Sequence, residues 1–212
     1  MKICFFDLET TEKNPVGAEI LTGFFKVVQN GRAIDSHDLK VKPDVWKEDA
    51  FKIHRITRGE AESFPSREYA LRELYRFLKK NADAYFCCHA NATLYGRSGH
   101  YDWIVLNSNF QLLSQEAYFA LGELRIKVIS THTMAKKLIK LDSYSLANIA
   151  AHFGYSYEAH NAQADVEAMI FVFQKLTEKL PANYDLYDLG HYSGTKAWDQ
   201  YRVDQNFLPL EF

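Results

Sequence analysis

Apolar and polar positions along this chain follow two periods, and the changes from one to the other mark out the elements. The stretch Ile3-Cys4-Phe5-Phe6-Asp7-Leu8-Glu9-Thr10-Thr11 opens as an apolar run and then sets acid, apolar residue and acid in alternation. Such a run predicts a buried strand, on which residues i and i+2 share a face. Residues 20–28 form a second strand candidate. Asn30-Gly31 suits a tight hairpin because both residues tolerate positive φ, and residues 33–42 return as a third strand closed by Pro43. Residues 46–57 read as a short irregular segment or helical turn. Ser66 is the N-cap candidate for a helix on which Leu71, Leu74, Tyr75 and Leu78 keep helical spacing. Residues 84–88 are short and apolar, as a buried parallel strand would be, and strand, helix, strand in this order implies an α/β sheet.

The second half continues in the same way. Residues 89–100 turn polar, a loop at a strand end, and deliver Tyr101-Asp102-Trp103-Ile104 to the start of a helix. Residues 127–131 predict another strand, followed by a helix carrying Met134, Leu138 and Leu141. Leu146, Ile149, Ala150 and Phe153 make one stripe of a helix over 145–153, with Gly154 at the stop position. His160-Asn161-Ala162-Gln163-Ala164-Asp165 opens a long helix whose apolar face holds Val166, Met169, Ile170, Phe173 and Leu180, ended by Pro181. Beyond Pro181 the composition shifts toward Tyr and Asp and helical periodicity fades, which divides the chain into a domain over 1–180 and an extension over 181–212.

Composition narrows the class. With 212 residues, 47% apolar and 15% aromatic, the chain has enough for a full core, as one domain or one domain plus a tail. A net charge of −2 provides no global basic field, so a polynucleotide substrate would have to be gripped locally, with a metal or a tethering partner helping. Cys4, Cys87 and Cys88 lack the spacing of a zinc site or a disulfide framework. Acids arrive by Asp7, too early for the apolar segment of a signal peptide, and no run approaches membrane-spanning length. The expectation is a soluble protein of the cytoplasm with no membrane partner.

Chemistry enters with the acids. If the first strand continues past Phe6, Asp7 and Glu9 project side by side, and such like charges call for a hard divalent cation. The alternative is a strand that stops at Phe6, with both acids in a solvated turn. Asp102 and Asp165 each fall in a helix's first turn, where an acid is ordinarily just favoured by the helix dipole. If the sheet gathers all four, they can hold two divalent ions about 3.5–4 Å apart, as used for in-line displacement at phosphorus. A neutral imidazole such as His160 suits removal of a water's proton near neutral pH.

Taken together these stretches resemble a family. Phe6-Asp7-Leu8-Glu9-Thr10-Thr11, Tyr101-Asp102 and His160-x-x-x-x-Asp165-Val166-Glu167-Ala168 are similar, in order, to the three motifs of the DnaQ-like, DEDDh-type 3′→5′ exonucleases, which include proofreading ε subunits. Ala50-Phe51-Lys52-Ile53-His54-Arg55-Ile56-Thr57 resembles that family's substrate-lining segment, and Ser145-Leu146-Ala147-Asn148-Ile149 its helix before the third motif. The resemblance implies an RNase H-like fold, a mixed five-stranded sheet flanked by α-helices. It implies Asp7, Glu9, Asp102 and Asp165 as ligands of two Mg²⁺ or Mn²⁺ ions and His160 as general base. Thr10, Thr11 and His54 would line the pocket of the 3′-terminal nucleotide, chiefly through backbone and edge contacts, and the products would be nucleoside 5′-monophosphates.

One departure stands out. The family sets His-Asn close before its second motif, whereas here residues 92–100 intervene between His89, Asn91 and Tyr101. Either Asn91 keeps the family's position or another residue replaces it. Arg97 in this insertion is a candidate phosphate contact, against the alternative of a solvated loop. In the tail, Gln205-Asn206-Phe207-Leu208-Pro209-Leu210 resembles the peptides by which bacterial replication proteins dock on the sliding clamp. Gln205 would fix register there, and Leu208 and Leu210 would act as anchors; the alternative is a tail folded back on the domain. The expected activity is 3′→5′ exonucleolysis of single-stranded ends, DNA over RNA. The runners-up are an exoribonuclease or oligoribonuclease on the same scaffold, and a binding subunit associated with a clamp or DNA polymerase.

Overall fold

The computed structural model describes residues 1–15, 17–90 and 100–180, the side chains of residues 49 and 50 excepted. Its strands are β1 (Lys2–Thr10), β2 (Ile20–Gln29), β3 (Arg32–Lys40), β4 (Tyr85–Cys88) and β5 (Lys127–Ser130). They form one sheet in the order β3-β2-β1-β4-β5. β1 and β3 run antiparallel to β2, while β4 runs parallel to β1 and β5, so the sheet is mixed with β1 at its centre. The helices are α1 (Glu48–His54), α2 (Arg58–Glu62), α3 (Arg67–Lys80), α4 (Tyr101–Leu113), α5 (Gln115–Glu123), α6 (Thr131–Leu138), α7 (Leu146–His152) and α8 (Ala162–Thr177).

Alternation along β1 divides the core in two. Cys4, Phe6 and Leu8 join Leu71, Leu74, Val105 and Phe110 of α3 and α4. Ile3 and Phe5 join Met134, Ile149, Val166, Met169 and Phe173 of α6, α7 and α8. Phe6 stacks on Phe25 with ring centroids 5.4 Å apart, and Phe5 meets Phe173 edge-on at 5.3 Å. A strand buried on both faces needs a continuous apolar run, which is how β1 begins.

Local signals set the boundaries. Asn30 (φ 51) and Gly31 (φ 78) supply the two left-handed residues of the β2–β3 turn. Ser66 and Ser145 cap α3 and α7 by accepting from the N–H groups of Tyr69 and Asn148. Gly154, at φ 82, lets its own N–H and that of Tyr155 close on the carbonyls of Ala151 and Ala150, which ends α7.

Some boundaries depart from the sequence pattern. Leu141 lies beyond α6, because the chain turns extended at Ile139 and the Tyr144 hydroxyl closes the turn, donating to the Ile139 carbonyl and accepting the Leu141 N–H. Leu141 still packs on the core, so its burial, not its element, matches the pattern. α8 begins at Ala162 with Asn161 as N-cap and ends at Thr177, before Leu180; tight turns from Lys179 to Leu176 and from Leu180 to Thr177 finish it. The sequence pattern does not anticipate α2 and α5, which Thr57 and Ser114 cap. No described helix is long and apolar enough to cross a membrane.

Candidate active site

The odd-numbered positions of β1 carry the first two acids. β1 stays paired with β2 beyond Phe6, with Asp7 opposite Phe24 and Glu9 opposite Thr22, so the acids lie on a strand and not in a turn. On the other side, β4 pairs with β1 only at Ile3, Cys4 and Phe5. The acids therefore stand where the parallel neighbour has ended, at the carboxyl end of the strands, the usual place for ligands in α/β sheets.

Asp102 comes from the opposite layer. It lies in the first turn of α4 and is 5% exposed. Asp165 comes from the first turn of α8 and is 8% exposed. Its Oδ2 accepts the backbone N–H groups of His160 (2.9 Å) and Asn161 (3.1 Å), and its Oδ1 accepts the Tyr157 hydroxyl (2.7 Å). His160 sits at φ 67, which directs its own N–H and the next one at a single oxygen. Such pairs of successive N–H groups form anion-binding concavities.

Oxygens of Asp7, Glu9 and Asp165 all lie within 4.8 Å of one another. Burial, followed by the charges of Asp102, Asp165 and Glu9, holds the Asp7 carboxyl well above the ordinary carboxylate range. Glu9 is pushed up to about 7 by burial and by Asp165 and Asp102. Asp102 is raised by burial and by Asp165, against the opposing pull of nearby backbone N–H dipoles. Among the described residues, no Lys or Arg forms an ion pair with any of these four acids. An uncompensated, all-oxygen cluster of mutually repelling carboxylates fits hard divalent cations, which take oxygen ligands and remove the repulsion. Asp7, Glu9 and Asp165 form the group that could hold them; Asp102, the fourth acid expected from the sequence, is not in the set whose oxygens lie within 4.8 Å of one another and acts on it through its charge.

The other sequence candidates fall at varying distances from this cluster. The His160 side chain is exposed and is joined to Asp165 through its backbone. The Thr10 hydroxyl donates to the Glu12 carbonyl and lies 3.0 Å from the Tyr101 hydroxyl. Thr11 is buried and accepts the Glu19 N–H, so both threonine hydroxyls are engaged within the fold. His54 is buried; its Nδ1 accepts the Ile56 N–H, which places the proton on Nε2, a buried atom with no hydrogen-bond partner among the described residues. Asn91, Arg97, Gln205, Leu208 and Leu210 lie outside the described residues.

One contribution escapes sequence reasoning. Tyr157 lies three residues before His160 in Tyr155-Ser156-Tyr157, where no spacing flags it; its contact exists only because the chain turns left-handed at His160. By contrast, Tyr101 of the second motif has a visible task, its hydroxyl donating to the Glu12 carbonyl and so joining α4 to the chain after β1.

Comparison with known proteins agrees with this architecture. A search of curated proteins finds no match. Among solved structures, exonuclease I, in a study of its processivity, superposes with TM-score 0.70 at 18% identity over 88% of this chain and 42% of its own. E. coli exonuclease I in complex with a dA16 oligonucleotide gives 0.68 at 17% identity, with the same coverage of 88% and 42%. A moderately thermophilic exonuclease I from Methylocaldum szegediense gives 0.69 at 17% identity, again covering 88% and 42%. At these identities the likeness is one of fold, and this chain spans about two-fifths of those chains (42%). The pattern that defines the exonuclease family, RNase_T, matches residues 4–173. With that match across most of its length on an RNase H-like sheet, the chain belongs to the DnaQ-like exonuclease family.

Proposed function

We propose that the chain is a 3′→5′ exonuclease that hydrolyses phosphodiester bonds at single-stranded ends, DNA in preference to RNA, and releases nucleoside 5′-monophosphates. The observation that carries this reading is the acid cluster, Asp7, Glu9 and Asp165 with oxygens within 4.8 Å and the buried Asp102 close enough for its charge to act on Asp7 and Glu9. Exonuclease I of E. coli, similar in fold, has been solved with dA16 and dT13 oligonucleotides, which supports single-stranded DNA as the substrate class.

In this reading the four acids hold two divalent cations, Mg²⁺ or Mn²⁺. When bound, these cations supply charge neutralisation at the scissile phosphate and a more acidic water. The chain's own residues do the rest. His160 accepts the attacking water's proton on its imidazole. Because its backbone N–H bonds Asp165, the base is tied to the cluster it serves. Thr10 and Thr11 shape the terminal-nucleotide pocket through their backbone, and His54 offers its Nε2–H. Asn91 and Arg97 are reserved for contacts to the strand. The family match ends at residue 173, which supports dividing the chain into a catalytic domain over 1–180 and an extension over 181–212. Gln205, Leu208 and Leu210 in that extension would dock on a sliding clamp or polymerase.

The test uses 5′-labelled single-stranded DNA and RNA of one sequence, with Mg²⁺, Mn²⁺ or EDTA. The expected result is a ladder shortening from the 3′ end, faster on DNA, and none in EDTA. Immediate release of a labelled mononucleotide, or activity surviving EDTA, overturns the reading.

A further inference from the structure

We infer that Tyr157 is a positioning residue whose hydroxyl fixes the plane of the Asp165 carboxylate for a divalent cation, an inference that rests on the exonuclease reading above. A carboxylate offers about four lone-pair sites. Two on Oδ2 are taken by the His160 and Asn161 N–H groups, and one on Oδ1 by the Tyr157 O–H at 2.7 Å. That leaves one site, on the oxygen Tyr157 holds, for an ion shared with Asp7 and Glu9. The two backbone donors anchor Oδ2 only, and a carboxylate held at one oxygen still swings about it. The third donor, on the other oxygen, removes that freedom. Partners of this kind orient ligands and tune their affinity.

Tyr157 is itself held for the task. Its ring lies 6.0 Å from that of Tyr155, which stacks on Phe171 of α8 at 4.7 Å. The segment before His160 is thereby packed on the same helix that carries Asp165. Burial, then the bond to Asp165 and the nearby carboxylates, raises the phenol's pKa, so it remains a donor.

The test compares Mn²⁺ binding, by calorimetry on the full chain, between wild type, Tyr157→Phe and Tyr155→Phe. Tyr157→Phe keeps the ring and loses the donor, and its Mn²⁺ Kd is expected to rise about 10–100-fold with an unchanged metal-free circular dichroism spectrum. Nucleotide release by Tyr157→Phe then needs correspondingly more Mn²⁺ while approaching the wild-type kcat at saturation. Tyr155→Phe keeps the wild-type Kd. Should Tyr157→Phe fail to fold, the wild-type chain carrying 3-fluorotyrosine at position 157 decides, its fluorine NMR resonance being expected to move on addition of Mg²⁺. A wild-type Mn²⁺ Kd in folded Tyr157→Phe, or an unmoved resonance at position 157, overturns the positioning role alone. A wild-type chain that neither binds Mn²⁺ nor releases nucleotide overturns the exonuclease reading, and this inference with it.

Discussion

Ile3 and Phe5 occupy the same face of the same strand as Asp7 and Glu9, yet the two pairs have opposite physical characters. The first pair lies under the apolar side of α8, with Phe5 edge-on to Phe173. The second pair meets the first turn of that helix, where Asp165 stands. The change falls at Phe5, the last position at which β4 pairs with β1. Side-chain parity continues unbroken; what changes is the surroundings, from a closed apolar layer to an open sheet end facing a helix N-terminus. One half of the strand holds the fold together, and the other half is a place where the fold stores unfavourable charge for a ligand to relieve.

This comparison predicts opposite signs for neighbouring substitutions. Asp7→Asn should abolish nucleotide release yet raise the metal-free melting temperature, because it removes one of several carboxylates that push each other's pKa upward. Phe5→Ala, at a 2% exposed position, should cost about 3–5 kcal/mol of stability, with the same Mn²⁺ affinity in whatever fraction stays folded. Thermal melts in EDTA, with parallel nucleotide-release assays, read both. A lower metal-free melting temperature for Asp7→Asn would mean that the acid end of β1 is not a strained region, and the contrast would fail.

The next effect separates a residue's backbone from its side chain. His160 is at φ 67, a conformation Asn tolerates better than Ala, so His160→Asn is the cleaner substitution. It retains the N–H that Asp165 accepts and removes the imidazole. Turnover should drop roughly 10²–10⁴-fold, the range for loss of a general base, while the Mn²⁺ Kd remains that of wild type. A Kd that moves together with turnover would show His160 acting on the acid rather than on the water.

How far these regions were legible in the sequence follows from the range of the forces involved. The period of β1, the Asn30-Gly31 turn and the serine caps of α3 and α7 depend on neighbours a few residues away, and the pattern finds them. The resemblance names Asp7, Glu9, Asp102 and Asp165 in order along the chain. Their approach, however, depends on β1 lying between β2 and β4 and on α4 and α8 packing on its two faces, and neither is written in spacing. α5 goes unread because its stripe is weak and it follows α4 across a single cap, Ser114. Tyr157 reaches Asp165 through a left-handed turn at a histidine, a conformation that residue type does not announce.

The smallest effect, and the one most specific to the acid end, is its dependence on pH. Without metal, Glu9 titrates at about 7 against an ordinary 4.5, so the folded state binds more protons than the unfolded state within that window. Stability from the protonated cluster is therefore fully present below the lower value and is lost as pH rises through the upper one. His89 and His132, both lowered to about 4 by burial, act with the opposite sign, their contribution being lost as pH falls from 6.5 toward that value. The two trends overlap in a simple melt. They separate when melting temperature is measured with and without Mg²⁺ at each pH, because only the carboxylates must give up protons to bind the ion. The Mg²⁺-induced rise should be small near about pH 5 and grow by several degrees toward about pH 8, with protons released on binding. A rise independent of pH would mean that Mg²⁺ binds somewhere other than the raised carboxylates of β1, and the two halves of the strand would then differ in shape but not in chemistry.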